Sequence, residues 1–593
     1  MMKSCTHTLK SSSFTAAIMA IFTLIAAGCA NNINEPSVDL GLRDSTIDSS
    51  ETANTAIKEI STPPSKPFEI ETLYALLVAE IAGSRQRYDI SLGNYMQEAE
   101  RTRDPGVTAR AARIARFLDA DQANLKMALL WSEIEPNNPE ALFMATTGLS
   151  QSGRLSEAFR LSERLQTLGS RALFLSIAAS ASQITDTQRE QLLKQFDNLL
   201  LEQPKNLQLL VGKGMLLEQQ NKPEQALAIT QEALTIKDND IQATIQEARL
   251  LYQLDRPEIA LSRLANLLQQ HPDNQRLRLQ YARLLANNDM EGAQDQFQLL
   301  SEQSPNDSDI LFSLGLVAHE RKDLETAEKS FLQLIRLNER TDSAHYYLGQ
   351  IEESKNNTDG AIEHYQKITK GQELLPALNR TINLFGENNQ VKKITALMNE
   401  SRRKIPSQKE QLYLMEAQTL ARFNHLDSAE NILNSAIEEL PENANLLFTR
   451  AMIKEQRGLY DEAELDFRAV IKYQPNNASA LNALGYGLAD RGNKLDEALH
   501  LITQALNIRP DDPAIIDSMG WVQFRLGNYE EALLRLHEAF KAFPDHEVAA
   551  HLGEVLWVTG NKEEAKVIWQ EGVRLNPKGT IIPRTVKRLT AEK

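Results

Sequence analysis

The chain has 593 residues, 42% of them apolar and 24% charged, and its formal net charge is −16. This length is too great for one hydrophobic core, so the chain must form several domains or a repeating array. The acidic balance, without a basic stripe to neutralise phosphates, argues against a nucleic-acid partner and is compatible with a basic protein surface.

The first 28 residues have the composition of a secretion signal. Lys3 and Lys10 precede an apolar run, 14–27, which is short for a membrane span but suits a signal-peptide core. Small residues then precede Cys29, and this ending resembles the lipobox of bacterial lipoproteins. The resemblance implies cleavage after residue 28, acylation of Cys29 and, because alanine follows, delivery to the outer membrane. The alternative is ordinary cleavage to a soluble periplasmic protein, because Ala26 stands where leucine is commonest.

Residues 29–67 are predicted to be the acylated cysteine and a disordered tether. The segment is rich in Ser, Thr, Asn and Asp, with Pro36, Pro63 and Pro64, and has too few apolar residues to fold alone. As a flexible coil it would span on the order of 35 Å. Cys5 lies in the segment predicted to be removed, so the mature chain could form no internal disulfide and must be stabilised by packing.

The rest of the chain is predicted to be helical and repetitive. Residues 68–107 contain a helix pair without repeat markers, which we interpret as an N-terminal cap. From 108 to 578, prolines recur at close to whole multiples of 34 residues, which gives about 14 units. They are Pro136, Pro204, Pro272, Pro305, Pro406, Pro441, Pro475, Pro510, Pro544 and Pro577. Residues 579–593 are predicted to form a C-terminal capping helix.

The last three units show the repeat most clearly. Each has a small residue in its first apolar-periodic segment, a Gly-Asn turn, an alanine in its second segment and a closing proline. The first two markers are Gly485 and Ala498, Gly520 and Ala532, and Gly553 and Ala565. This pattern resembles the tetratricopeptide repeat, which implies an all-α fold: a right-handed α-solenoid superhelix of helix-turn-helix units.

Within such a unit, one face of the first helix points away from its second helix. In tetratricopeptide proteins that face lines a groove for partner segments, and aromatic rings interleaved with Asn and Asp suit that role. The candidate partner-binding residues are Phe448, Met452, Asn482, Tyr486, Asp517, Trp521, Phe524 and Trp557. The alternative is that these rings pack against the neighbouring repeat, since Tyr and Trp serve both purposes.

Nothing in the chain predicts an enzyme. Repeats and tether account for its whole length, and it has no GxSxG, phosphate-binding Gly-rich loop or HExxH motif. His537, His546 and His551 fall on two helices and a loop, so we interpret them as surface or groove histidines rather than metal ligands. We therefore predict no catalytic residue, metal or cofactor.

A narrower resemblance rests on the lipobox, the tether, the opening helix pair and the endings LNALGYGLAD, DSMGWVQFRLGNYEEAL and AAHLGEVLW. Together they are similar to the proteobacterial tetratricopeptide lipoproteins of the LbcA type. That resemblance implies an outer-membrane lipoprotein, facing the periplasm, that binds a carboxy-terminal processing protease and its cell-wall hydrolase substrates. Its membrane contact would be the N-terminal lipid alone.

Two other functions stay open at the level of sequence. Repeat lipoproteins also serve as assembly factors for pili, secretins or exopolysaccharide export, and the identity of the partner would distinguish that role. A peptidoglycan-modifying enzyme would need a nucleophile, base or metal constellation, which the sequence does not display.

Overall fold

The computed structural model describes residues 69–591, and within this range the regular structure is helical throughout, with 31 α-helices and no strand. The predicted signal peptide, Cys29 and the tether lie outside the described residues. The chain divides into two compact units, one up to Glu339 and one from Arg340 onward.

The first unit contains sixteen α-helices among its described residues. They are α1 (Ile70–Ser84), α2 (Tyr88–Thr102), α3 (Pro105–Phe117), α4 (Asp121–Ile134), α5 (Pro139–Gln151), α6 (Leu155–Thr167), α7 (Phe174–Ser180), α8 (Asp186–Glu202), α9 (Leu207–Gln219), α10 (Pro223–Ile236), α11 (Ile241–Gln253), α12 (Pro257–Gln270), α13 (Gln275–Leu285), α14 (Met290–Gln303), α15 (Ser308–Glu320) and α16 (Leu324–Arg336). Successive helices pack as pairs, α1 with α2 through α15 with α16, except that α7 and α8 both pack on α9.

The second unit continues the same pairing with fifteen α-helices among its described residues. They are α17 (Thr341–Ser354), α18 (Thr358–Gln366), α19 (Leu374–Glu387), α20 (Val391–Lys404), α21 (Lys409–Arg422), α22 (Leu426–Glu439), α23 (Ala444–Gln456), α24 (Tyr460–Tyr473), α25 (Ala478–Asp490), α26 (Leu495–Ile508), α27 (Pro513–Arg525), α28 (Tyr529–Ala542), α29 (His546–Val558), α30 (Lys562–Leu575) and α31 (Ile581–Ala591). From α3 to α30 the described helices form fourteen pairs, so the predicted all-α fold of helix-turn-helix repeats is confirmed.

Small residues set the close approach within a pair. A Cβ added to Gly485 would lie 2.7 Å from the Ile502 side chain and 3.1 Å from the backbone oxygen of Ala498, both on the second helix. Gly520 meets Leu536 in the same way, at 2.6 Å. Larger side chains at these positions would force the two helices apart.

Asparagine and aspartate start most of the first helices. In each case the side chain accepts a hydrogen bond from a backbone N–H of the first turn, and seven of these residues also follow the repeat proline by two positions. The seven are Asn138, Asn206, Asn274, Asp307, Asn443, Asn477 and Asp512. Because proline cannot donate a backbone hydrogen bond, it ends one unit while the cap begins the next. This pairing of stop and start signals accounts for the constant length of the repeat.

The C-terminal helix closes the second unit. Ile582 of α31 is buried in the apolar cluster of the last pair, and Val586 and Leu589 pack against the same cluster. These contacts cover apolar surface that would otherwise face solvent, as the last element of a repeat array must do.

Candidate partner-binding surface

The predicted partner-binding residues all lie on the first helices of four consecutive pairs. Phe448 and Met452 belong to α23, Asn482 and Tyr486 to α25, Asp517, Trp521 and Phe524 to α27, and Trp557 to α29. Residues four apart share one face of a helix, so each helix contributes a short strip of side chains. We call these eight residues the first-helix row.

The structure joins the centre of this row around a histidine. Nδ1 of His551 lies 3.0 Å from each carboxylate oxygen of Asp517, and its Nε2 lies 3.3 Å from the hydroxyl oxygen of Tyr486. The Trp521 ring stacks on the imidazole with centroids 4.3 Å apart. We call Tyr486, Asp517, Trp521 and His551 the His551 cluster. It links α25, α27 and α29, the first helices of three consecutive repeats.

Several members of the row are buried. Trp521 is 5% exposed, Asp517 7% and Asn482 3%, while Tyr486 is half-buried. Trp521 and Asp517 contact His551, and these two residues and Asn482 have little contact with solvent. Direct contact of these three residues with a partner stays a prediction, because it would require the first helices to move.

The other members of the row remain partly accessible. Phe448, Met452, Phe524 and Trp557 are half-buried at the edge of the apolar core. Three of them also touch the second helix of their own pair: the ring of Phe448 lies 5.6 Å from that of Phe467, Phe524 5.9 Å from Tyr529, and Trp557 5.6 Å from Trp569. These rings therefore pack on one side and keep another side open.

The His551 cluster holds an ion pair. Burial lowers the pKa of His551, but the Coulombic attraction and hydrogen bond of Asp517 raise it more, so the imidazole pKa lies above its ordinary value. Burial also raises the pKa of Tyr486 well above its ordinary value, with further contributions from nearby carboxylates, so the phenol stays neutral. A charged His551 donates from Nδ1 to Asp517 and from Nε2 to Tyr486, which fixes all three side chains.

Acidic side chains flank the cluster. Trp521 donates its indole N–H to Asp490 over 3.3 Å. On α23, burial raises the pKa of Glu455 to about 7. The nearby charge of Arg491 lowers this pKa, whereas that of Asp490 raises it further. Gly487 leaves room for this carboxyl, since an added Cβ would lie 2.8 Å from the Glu455 Oε1 atom. The surface beside the His551 cluster is therefore acidic, and its Glu455 carboxyl changes charge near neutral pH.

Asn482 combines burial with an unsatisfied acceptor. Its Oδ1 atom is buried and has no hydrogen-bond partner among the described residues. A buried amide oxygen without a donor costs about 1–3 kcal/mol relative to a bonded one. Because the side chain is 3% exposed, a bound segment would reach this oxygen only if the first helices moved.

Sequence reasoning missed the part that His551 plays. Its interpretation as a surface or groove residue is wrong, because the side chain is 5% exposed. The separation between Asp517 and His551, 34 residues, was an available signal. Residues one repeat apart occupy nearly equivalent places on adjacent first helices, so such a spacing predicts contact.

Within residues 69–591, no group of three or more His, Cys, Asp and Glu side chains could hold a metal ion. Over the same range, none of the helices is both long enough and apolar enough to cross a bilayer. The Asp517–His551 pair is buried against Trp521 and is hydrogen-bonded to Tyr486, so we assign it to structure.

Known proteins resemble the chain over different extents. Family models described as tetratricopeptide repeats match residues 251–318, 323–373, 414–469, 448–513 and 518–579. TPR repeat-containing protein PA4667 of Pseudomonas aeruginosa is 37% identical over 584 residues, which is 98% of this chain and 97% of that protein. Bacteriophage adsorption protein A of Escherichia coli is 37% identical over 98 residues, 16% of this chain and 10% of that protein. Among solved structures, a chain of the APC/C hetero-tetramer Cut9-Hcn1 aligns with 88% of this chain and 96% of its own length, at 12% identity and a TM-score of 0.32.

The repeat matches agree with the helix pairs. They begin in α11 and extend past the end of α30, and their fold typically holds proteins together rather than catalysing a reaction. The similarity to the Pseudomonas protein extends over nearly the full length of both chains. This chain therefore belongs to the tetratricopeptide-repeat proteins, in one family with that full-length relative.

Proposed function

We propose that this protein is a non-enzymatic periplasmic scaffold, anchored by lipid to the outer membrane, that brings a carboxy-terminal processing protease together with cell-wall hydrolases. The observation that carries the proposal is the succession of tetratricopeptide helix pairs that accounts for residues 105–575. Such pairs present long faces on which other proteins bind. Holding a protease and its substrate on one chain raises the concentration of each around the other.

The first-helix row is the proposed contact surface in the second unit. Its half-buried rings, Phe448, Phe524 and Trp557, offer rigid apolar area, while the exposed Asp490 supplies an acceptor for N–H groups and cations. The His551 cluster connects α25, α27 and α29, so the surface is organised before a partner arrives. A face that is already ordered loses less entropy on binding.

The proposed location rests on the N-terminal sequence. Residues 1–28 have the pattern of a lipoprotein signal, and Cys29 would carry the lipid. The polar segment after it would let the repeats reach partners away from the membrane surface. Incorporation of radiolabelled palmitate into the wild-type chain and not into Cys29→Ser would support this location, and equal labelling of the two would contradict it.

Reconstitution tests the adaptor function directly. The purified chain, protease and one cell-wall hydrolase are mixed, and hydrolase loss is followed over time with and without the chain. We expect faster loss when the chain is present, because both proteins would be held on it. An unchanged rate, or failure of the chain to retain either protein, would contradict the adaptor role.

A pair of variants tests the proposed surface. Phe524→Ser removes a half-buried ring from the row, and Leu465→Ser removes a side chain that is 69% exposed on second helix α24. We expect only Phe524→Ser to reduce protease or hydrolase capture from envelope extracts, while both variants keep the wild-type helical content by circular dichroism. Equal capture by the two variants would exclude the row as the contact surface.

A further inference from the structure

Two histidines of one helix pair contact each other. His345 lies near the start of α17 and His364 near the end of α18, and their Nδ1 atoms are 3.0 Å apart. Both side chains are half-buried, and their ring centroids are 5.2 Å apart. At this separation one imidazole donates its Nδ1–H group to the unprotonated Nδ1 atom of the other. We call these two residues the His345 pair.

The His345 pair can hold one extra proton but not two. When both rings are neutral, one donates the hydrogen bond and the other accepts it, and a single charged ring donates in the same way. When both rings are charged, each directs an N–H group at the other, and the two positive charges repel. A second proton therefore requires the rings to separate.

The carboxylates around the pair decide which ring is protonated first. Glu352 on α17 and Glu363 on α18 both interact electrostatically with His364. A nearby negative charge favours the charged form of an imidazole. We therefore expect His364 to take the first proton of the pair.

The groups that face His345 keep it neutral until the pH is acidic. Burial lowers its pKa most, and the charges of His364 and Lys367 lower it further, so that the pKa is about 4. The carboxylates of Asp342 and Glu363 act in the opposite direction without cancelling this effect. Glu363 is itself paired with Lys367 over 2.7 Å, which limits its attraction for a second cation. The second proton is therefore bound only well below neutral pH.

The helix that carries His364 has less to hold it in place than its counterparts in other repeats. α18 has 9 residues and buries two of them, Ala361 and Tyr365. The other second helices from α4 to α30 have 13–17 residues, of which three to five are buried. A segment with few buried side chains opens at a small free-energy cost. The charge state of a single contact can therefore decide whether α18 stays packed on α17.

We propose that the His345 pair is an acid-sensitive latch, a contact that holds α18 on α17 near neutral pH and releases it once both imidazoles are charged. Because the folded pKa of His345 lies below the ordinary value of about 6.5, the neutral ring stabilises the helix pair fully above that pH. The stabilisation is lost as pH falls from about 6.5 towards 4, where the unfolded state binds a proton that the folded state does not. The inference goes beyond the proposed function and does not depend on it.

His551 provides a comparison within the same unit. Its contact with Asp517 needs a charged imidazole, and the pKa of His551 lies above its ordinary value. Acid therefore preserves the contact between α27 and α29 while it weakens that between α17 and α18. A general loss of stability at low pH would instead affect both contacts in the same direction.

Hydrogen exchange of the purified chain, resolved by helix and corrected for intrinsic rates, tests the latch. Between about pH 6.5 and pH 5 we expect the opening constant of α18 to rise about 10-fold, while that of α29 does not rise. His345→Gln should abolish the rise in α18, because glutamine can keep the hydrogen bond but takes up no proton. His500→Gln, an exposed change on α26, is the control and should leave the rise intact. A pH-independent α18, or an equal rise in His345→Gln, would overturn the proposal.

NMR of ¹³C-labelled histidine separates coupling between the two rings from burial alone. His364→Gln removes the neighbouring charge that lowers the pKa of His345, so the titration of His345 should move to higher pH. His500→Gln should leave that titration where it is in the wild type. If His364→Gln also leaves it there, the two rings do not compete for the second proton and the latch is excluded.

Discussion

At the scale of single residues, the second unit depends on a buried charge pair. His551 and Asp517 are both less than a tenth exposed, and each is the other's ionic partner. Removing one member of such a pair leaves an uncompensated charge in the interior and costs about 3–5 kcal/mol. The pair therefore stabilises the contact between α27 and α29 only while both side chains are charged.

The pH dependence of the contact between α27 and α29 follows from the direction in which the pKa of His551 is shifted. Because the folded pKa lies above the ordinary value of about 6.5, the stabilisation is complete below that value and is lost as pH rises through the folded pKa. Asp517, Tyr486, Asp490 and Glu547 are the groups facing the imidazole, and the carboxylates among them raise the pKa of His551. We expect the opening free energy of α29, from hydrogen exchange corrected for intrinsic rates, to fall as pH rises above 6.5 in the wild type. His551→Gln should abolish that fall, and an unchanged slope in the variant would contradict the assignment.

Titration of Glu455 makes stability depend on pH in a second way, independent of His551. Its carboxyl pKa of about 7 exceeds the ordinary 4.5, because burial disfavours the carboxylate. The folded state keeps a proton that the unfolded state has lost, so stability falls as pH rises from about 4.5 to 7. We expect Glu455→Gln to stabilise α23 by about 1–3 kcal/mol at pH 8 and to have little effect at pH 5, as measured by hydrogen exchange. Glu442→Gln, at an exposed position, is the control, and equal effects of the two changes would refute the burial argument.

At the scale of helices and turns, backbone conformation sets the angle between the members of a pair. Gly492, Gly527 and Gly560 connect first to second helices with φ of +69°, +86° and +95°, a region that residues with a Cβ rarely adopt. Elsewhere the same turn is made by residues such as Asn221 and Lys322, with φ of +58° and +66°. The turn is therefore a property of the repeat, and glycine is the residue that makes it with least strain.

Substitutions at Gly527 and Gly93 distinguish the effect of backbone strain on stability from that of steric overlap. Neither Gly527 nor Gly93 has an atom within 4 Å of an added Cβ, but Gly527 has a positive φ whereas Gly93 lies inside helix α2. We expect Gly527→Ala to destabilise α27 and α28 by about 1–2 kcal/mol, and Gly93→Ala to stabilise α2 by about 0.5–1 kcal/mol. Hydrogen exchange resolved by helix would measure both changes. Destabilisation by Gly93→Ala of the same size would show that φ is not the cause.

At the scale of the whole molecule, charge should influence partner capture. The first 28 residues contain two lysines and no acidic residue, so the remaining chain carries a formal charge of −18. Salt screens attraction between exposed charges beyond about 10 Å at 0.1 M. If partners bind through basic surfaces, we expect their association rate to fall several-fold between low and physiological ionic strength, as measured by surface plasmon resonance. A rate independent of salt would indicate that apolar contacts dominate.

The sequence by itself determined the repeat, its length and the helical fold. The spacing of Gly485, Ala498 and Pro510, repeated in later units, follows from local rules: close approach needs a small side chain, and proline ends a helix. Because these rules act within about 34 residues, the amino-acid sequence was enough to predict the helix pairs that the structure contains.

Only the tertiary structure decided which side chains of the row are buried and what they contact. Helix periodicity placed Trp521 on the outer face of its pair, but stacking of three first helices brings His551 onto its ring and Asp490 to its indole N–H. Tyr486 and His551 are 65 residues apart and belong to repeats that are not adjacent in sequence. Their contact depends on the rotation between successive helix pairs, a quantity set by packing across repeats and not by the pattern within any one of them.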